Sequence, residues 1–312
     1  MLPPNRPSST LKLLAYFAFV TFSLLILYEP RLGGFHGWNW DRASSSALAD
    51  NDIPKKIWYK LGPKGLSIEC KQWMDTCLSK SPSYKYEIFT DASADEYVKR
   101  EFAYRQDIID IFLGLTVPIL KADLLRYLLL FNEGGIYNDL DVSCETPIET
   151  WIPSQFKKEA NLVVGWEFDA GWEDNIIREF ASWTILAKAG SPHMLMTIND
   201  TIDYLREKTV QHNVGYEGLT LEMTGDVVDA TGPRRMTRGI FKSLEVMLNR
   251  AIDIREEVGN LLEPAIIGDV LILPGYAFAN SSNTYPEGQG GQPLVTHHYA
   301  GTWKNSKGGE IA

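Results

Sequence analysis

No stretch of this 312-residue chain is basic enough to grip a nucleic-acid backbone. Asp and Glu outnumber Lys and Arg by 40 to 30, leaving a formal charge of −10. No aromatic–basic interleaving accompanies the scattered lysines, so a surface that tracks phosphates is excluded. Cysteine is scarce as well. The three residues Cys70, Cys77 and Cys144 fit no zinc-ligand spacing. Cys70 and Cys77 fall in a stretch with helical pattern, Ser67 to Leu78, which would set them about 10 Å apart along the axis. That separation is too great for a disulfide if the helix forms, and the odd count leaves at least one free thiol. Internal repeats are missing too.

Long apolar runs are absent apart from one. Leu13 to Tyr28, LLAYFAFVTFSLLILY, carries no charge over sixteen residues. As a helix it spans about 24 Å, or about 27 Å with Leu11 and Lys12 added, against about 27 Å for the hydrocarbon core of early secretory membranes. The rival reading is a cleaved signal peptide, with an apolar region of about 7–15 residues. Glu29-Pro30-Arg31 follows directly without a small-x-small site, and Ala47-Leu48-Ala49 lies too far downstream. An uncleaved signal anchor is therefore expected at 13–28, after a cytosolic tail at 1–12 and before a stem at 29–52. Lys and Arg are balanced across the segment, so the positive-inside rule does not fix its orientation. Asn199-Asp-Thr201 and Asn280-Ser-Ser282 are glycosylation sequons that matter only in a lumenal domain.

What is present is concentrated between Lys121 and Asp141. Pro118 suits a first helical turn, and Ile119, Leu120, Leu124, Leu128 and Phe131 recur at helical spacing. Gly134-Gly135 stops the helix. Period two then takes over, with Ile136, Leu140 and Val142 on one face and Tyr137, Asp139 and Asp141 on the other. Two carboxylates at the end of a buried strand are costly unless neutralised. A hard divalent cation that also holds a diphosphate would neutralise them. Upstream, Asp123, Arg126 and Tyr127 share one stripe of the helix. The plain alternative for Asp123 and Arg126 is a surface pair worth roughly 0.2–0.5 kcal/mol, and an isolated Asp-x-Asp also occurs in turns.

Taken together these residues resemble the DXD-containing sugar-binding core of glycosyltransferase family 32, in particular its fungal initiating α-1,6-mannosyltransferase branch. Ile53-Pro-Lys-Lys-Ile-Trp-Tyr59 is similar to the opening strand, and Val163-Val-Gly-Trp-Glu167 to the strand after the DXD element. Thr231-Gly-Pro233 with Thr237 resembles the TGP-x-x-x-T segment. Gly268 to Pro274 and then His297-His-Tyr-Ala-Gly-Thr-Trp303 resemble the closing block. The likeness covers residues 53–304, with a tail at 305–312.

The resemblance implies a GT-A-like α/β fold, a mainly parallel sheet flanked by helices, to which the apolar strands near 56–59, 86–89, 136–142 and 162–166 also point. Phe180 to Leu205 reads as two helices broken at Gly190-Ser191-Pro192, with Trp183 and His193 as packing residues. The resemblance places a metal on Asp139, Asp141 and a histidine, His297 being favoured and His298 left open. Imidazole with carboxylate shifts preference from Mg²⁺ towards Mn²⁺. It assigns the donor to Asp123, Arg126, Tyr127, Tyr137, Trp58 and Tyr59, with core packing the alternative for Trp58. Glu167 and Asp169 are acceptor-side candidates, or else a solvated loop.

The implied activity is a retaining, metal-dependent transfer of mannose from GDP-mannose to an α-1,6 position of an N-glycan core. It would take place on the lumenal side of a Golgi or endoplasmic reticulum membrane, in a single-pass protein. Rival readings are another acceptor such as inositol-phosphoceramide, another nucleotide-sugar donor, or a non-catalytic, membrane-tethered glycan-binding protein. The intact Asp123, Arg126, Asp139 and Asp141 set argues against the last. No residue stands out as a covalent nucleophile, so front-face attack with the leaving phosphate as base is the expected route.

Overall fold

A computed structural model describes residues 52–300, positions 63 and 174 excepted. The expected anchor, the stem up to residue 51, and Gly301, Thr302 and Trp303 of the closing block lie outside the described residues. Among those residues no helix is long and apolar enough to cross a membrane.

The chain enters through β1 (Lys56–Lys60), α1 (Ile68–Lys80), β2 (Lys85–Phe89), α2 (Asp91–Glu101), α3 (Gln106–Gly114) and α4 (Pro118–Asn132). Next come β3 (Gly135–Asn138), β4 (Val142–Cys144), β5 (Leu162–Phe168), β6 (Glu179–Phe180), β7 (Thr184–Ala187) and α5 (Pro192–His212). It closes with α6 (Pro233–Leu248), β8 (Ala265–Ile267), β9 (Val270–Leu273), a short helix Gly275–Ala279 and β10 (Val295–His297). The main sheet has the order β2-β1-β3-β7-β5-β9-β8, with β6 added on β5, and β10 pairs separately with β4. β2, β1, β3, β5 and β9 run one way, whereas β7 and β8 are antiparallel to their neighbours. The sheet is therefore mixed and mostly parallel.

Alternation along each strand sends side chains into two cores. Trp58, Tyr137, Val164, Ile185 and Ile272 join α4, α5 and α6 on one face. Ile57, Tyr59, Ile136, Val163, Leu186 and Leu271 meet α1 and the helix Gly275–Ala279 on the other. Fully burying one such side chain contributes about 1.5–3 kcal/mol. α4 is buried almost all round, from Leu120 to Phe131, as expected of a helix inside a large core. The glycine stop is a steric requirement: Gly135 has φ 96°, and a Cβ there would lie 2.6 Å from the Lys56 carbonyl oxygen.

Two expectations change. The strand predicted through Val142 ends at Asn138, and Leu140-Asp141 form a turn before β4. The stretch read as a first helix after Phe180 is instead β7, the antiparallel insert between β3 and β5. Thr184-Ile-Leu-Ala187 is fully buried on both faces, and a short apolar run of that kind carries no period that separates strand from helix. The break at Gly190 to Pro192 does precede a helix, α5. Cys77 and Cys144 form a disulfide joining α1 to β4, and Cys70 is buried and free. The helix keeps Cys70 and Cys77 apart, as its geometry requires.

Candidate functional site

Three strand ends meet at one edge of the sheet. Asp139 follows β3 and extends its ladder to the residue before β7, its N–H donating to the Trp183 carbonyl at 2.9 Å. The turn at Leu140-Asp141 leads into β4. β10 pairs antiparallel with β4 so that His297 lies opposite Val142. A pairing between residues so far apart in sequence brings the closing block against the DXD turn. Ligand atoms of Asp139, Asp141 and His297 lie within 4.8 Å of one another.

These groups fit a divalent cation. His297 Nε2 is 3.4 Å from Asp141 Oδ1, while Asp141 Oδ2 accepts from the Ala300 N–H at 2.9 Å. Asp139 Oδ1 accepts from the Tyr137 hydroxyl at 2.9 Å and faces Arg126 Nη2 at 3.5 Å. Asp141 thus uses one oxygen on the Ala300 N–H and turns the other towards His297. Burial raises the pKa of Asp139, against Arg126, which lowers it. Burial also acts to raise that of Asp141, but the hydrogen bond and charge of His297 and the Ala300 N–H hold it below its usual value. Two carboxylate oxygens and one imidazole form a donor set of mixed hardness, suited to a first-row divalent ion. His298 faces the other way: its Nε2 lies 2.9 Å from Ser143 Oγ and its ring stacks on Trp73 at 4.2 Å. Of the two histidines, the geometry brings His297 to the cluster.

Behind the cluster stands a buried polar network. Asp123 and Arg126 are each 3% exposed, not the surface pair that spacing also allowed. Arg126 Nη2 lies 3.0 Å from Asp123 Oδ1, and Nη1 donates to the Ser182 carbonyl at 2.6 Å. Asp123 Oδ2 accepts from the Thr231 hydroxyl at 2.7 Å, and the Tyr127 hydroxyl donates to the Thr231 carbonyl at 2.8 Å. Burial lifts the Asp123 pKa to about 6, against the opposing pull of Arg126. Arg126 Nε is buried without a hydrogen-bond partner among the described residues. The TGP segment therefore serves as a clamp on α4, and Thr237 ties β6 by accepting from the Phe180 N–H at 2.8 Å.

Some candidates fall elsewhere. Trp58 is 2% and Tyr59 0% exposed. The Trp58 indole donates to the Gly134 carbonyl at 2.7 Å, so both rings pack in the two cores and present no face to a nucleotide base. Tyr127 is likewise internal. Asp169 is neither acceptor-facing nor in a solvated loop. It is fully buried, paired with Arg178 at 2.7 Å, and accepts from the Asn260 and Leu261 N–H groups. A carboxylate so saturated anchors the loop after β5. Glu167 is 8% exposed, and burial with the nearby Glu179 charge pushes its pKa up to about 8.

Sequence reasoning missed Tyr299. Its ring lies 4.1 Å from that of His297, and its φ is 49°, in the left-handed region. Trp183, read as packing, stacks on His297 at 4.1 Å and meets Tyr299 edge-on at 5.7 Å. No local pattern marks either residue, because both act through contacts with β10.

Residues 67–157 match the family described as glycosyltransferase sugar-binding region containing DXD motif. An initiation-specific alpha-1,6-mannosyltransferase of Candida albicans is 29% identical, over 81% of this chain and 72% of that protein. Its namesake in Schizosaccharomyces pombe is 31% identical, over 81% of this chain and 64% of that one. A mannosyl phosphorylinositol ceramide synthase of Saccharomyces cerevisiae is 33% identical over 36% of this chain and 29% of its own length. The chain carries the DXD-containing sugar-binding region and is a glycosyltransferase, related over most of its length to fungal mannosyltransferases.

Proposed function

We propose that this enzyme transfers mannose from GDP-mannose, with retention and with Mn²⁺ as its cation, to an α-1,6 position of an N-glycan core. The observation that carries the reading is the convergence of Asp139, Asp141 and His297 beside the Arg126–Asp123 network. The likeness to two initiation-specific α-1,6-mannosyltransferases supports the choice of sugar and linkage.

A bound divalent cation supplies charge to a diphosphate as the anomeric bond breaks. Asp139 and Asp141, with His297, would hold it. Tyr137 and Arg126 fix Asp139 by hydrogen bond and charge, so that little reorganisation is needed when the leaving group gains charge. Asp123 keeps Arg126 in place, and both its oxygens are engaged by Arg126 and Thr231. It therefore orients the donor site rather than gripping sugar hydroxyls itself.

The same reading places residues 13–28 in the membrane of the Golgi or endoplasmic reticulum, with the catalytic domain lumenal. The Cys77–Cys144 disulfide supports an oxidising compartment. A second acceptor, inositol-phosphoceramide, is favoured by the likeness to the mannosyl phosphorylinositol ceramide synthase.

The test is slow donor hydrolysis by the full-length chain in detergent with Mn²⁺, across a panel of nucleotide sugars. GDP-mannose should be consumed and bound in preference to UDP-glucose and UDP-galactose. A site that pairs a given hydroxyl can reject an analogue by about 10⁴-fold, so a true preference will be plain. Equal or faster use of a UDP-sugar would refute the donor assignment.

A further inference from the structure

An exposed indole is linked to the cation cluster through Ser282 and Tyr299. Trp172, in the loop after β5, is 47% exposed, an unfavourable position for so large an apolar surface. Yet the ring is held in one orientation. Its Nε1 donates to the Ser282 carbonyl at 2.7 Å, and it meets Phe168 edge-on at 5.2 Å and 86°. Ser282 Oγ in turn lies 3.0 Å from the Tyr299 hydroxyl. Tyr299 is 51% exposed, with its ring against His297. Trp172, Ser282, Tyr299 and His297 therefore form one connected row that leads from solvent to Asp141.

Glu167 is the second, independent observation. It lies at the end of β5, 8% exposed, and its carboxyl has no hydrogen-bond or ion-pair partner among the described residues. Its charge acts on Tyr299, which also feels Asp141. A largely buried carboxyl without a protein partner is costly, and a ligand that supplies hydrogen bonds relieves that cost. Trp172 and Tyr299 offer exposed, pre-positioned aromatic surface, and Glu167, whose charge is felt at Tyr299, offers an unpaired carboxyl; together they suit a molecule with an apolar face and a hydroxylated rim. A pyranose ring has that form: its C–H face packs against the electron-rich ring face, and its hydroxyls reach a carboxyl.

We propose that Trp172, Tyr299 and Glu167 form the subsite that receives the acceptor saccharide, the indole stacking on the sugar and Glu167 engaging one of its hydroxyls. The assignment rests on the glycosyltransferase reading above, but its test is separable from the identity of the donor. Full-length chain in detergent is titrated with methyl α-D-mannopyranoside by saturation-transfer difference NMR, and separately with GDP and Mn²⁺. The wild-type chain should bind the saccharide. Trp172→Ala should weaken that binding by about tenfold, the loss expected for one aromatic face, and Trp172→Phe should recover most of it. Glu167→Ala should weaken it independently. GDP binding shows whether each variant is folded. No saccharide binding by the wild-type chain, or unchanged binding by Trp172→Ala and Glu167→Ala, would overturn the subsite. Saccharide binding without any GDP binding by the wild-type chain would overturn the donor reading and leave the subsite standing.

Discussion

The Ala300 N–H donates to Asp141 Oδ2 at 2.9 Å across a sequence separation of 159. The His298 N–H also donates, to the Asp141 carbonyl at 2.9 Å. The two bonds wrap residues 298–300 around the aspartate and force Tyr299 between them into the left-handed region, at φ 49°. A non-glycine residue there is strained and persists only where its surroundings fix it. The second DXD aspartate thus organises the closing block as well as contributing an oxygen to the cluster.

That double role separates two substitutions. Asp141→Asn keeps an oxygen for the Ala300 N–H but removes the charge facing His297. Donor turnover with Mn²⁺ should fall by about 10²-fold or more, while the thermal midpoint changes little. Asp141→Ala should lose turnover and also loosen residues 298–300. Turnover by Asp141→Asn within tenfold of the unmodified enzyme would remove the metal-centred mechanism.

Arg126 is the hub of the buried network, facing Asp123 at 3.0 Å and Asp139 at 3.5 Å with its side chain 4% exposed. Arg126→Met keeps most of the volume, strands the Asp123 carboxylate in the interior and takes the charge partner from the partly exposed Asp139. Breaking a buried pair in this way typically costs about 3–5 kcal/mol. Urea unfolding should show a loss of that order, with turnover falling in the same variant. A loss under about 1 kcal/mol would mean that water reaches the network and that it is not a sealed support.

The parts of this molecule legible in sequence are those fixed by neighbours along the chain. The helix around Leu124, the stop at Gly134-Gly135 and the facing of Ile136 against Tyr137 follow from local periodicity and sterics. Asp139 and Asp141 were singled out on that period-two pattern, although the strand stops at Asn138 and Asp141 lies in the turn beyond it. The strand β7 was not, because Thr184 to Ala187 is buried on both faces and carries no alternation. Trp58, Tyr59 and Asp169 were misplaced for a related reason. Residue type at a strand end does not reveal which core or which backbone N–H groups will claim the side chain. Tyr299 and the facing of His297 depend on the pairing of β10 with β4, and register between distant strands is written in no single segment.

The disulfide closes a loop spanning 67 positions, from Cys77 to Cys144. Chain entropy alone assigns such a link about 4 kcal/mol. Cys144 ends the strand that follows the DXD turn, so Cys77→Ser should lower both the unfolding midpoint and turnover. Non-reducing peptide mapping should recover the Cys77–Cys144 pair with Cys70 alkylated as a free thiol. Recovery of all three cysteines as thiols from oxidised, folded protein would remove the link and the compartment argument that rests on it.

Topology is checked in sealed microsomes. An anchor at 13–28 with residues 29–312 lumenal predicts that protease spares the catalytic portion until detergent is added. Of the two sequons, Asn280 is exposed, while Asn199 lies within α5 and its Thr201 is fully buried. Endoglycosidase should therefore shift the mass through Asn280, and Asn280→Gln should abolish the shift. A mature N-terminus between Glu29 and Asp52 would show the segment to be cleaved.

Glu167 gives a dependence on pH whose sign is fixed. Burial, aided by the Glu179 charge, raises its pKa from 4.5 to about 8 in the folded chain. Glu179 is itself raised by burial, with Arg234 at 3.4 Å and Asp226 as its charged neighbours, and Tyr299 faces the same space. Between pH 4.5 and about 8 the folded chain therefore keeps a proton that the unfolded chain has released. Stability contributed by the neutral acid is complete below the lower value and declines as pH rises towards the upper one. The decline from this group is on the order of a few kcal/mol. Glu167→Gln mimics the neutral acid at every pH and should flatten the curve. Denaturant unfolding at closely spaced pH values should show the variant gaining on the wild-type chain as pH rises through that window, and the gap levelling off above it. A constant gap across the window would mean that Glu167 ionises freely in the folded chain. The carboxyl beside Tyr299 would then be open to solvent.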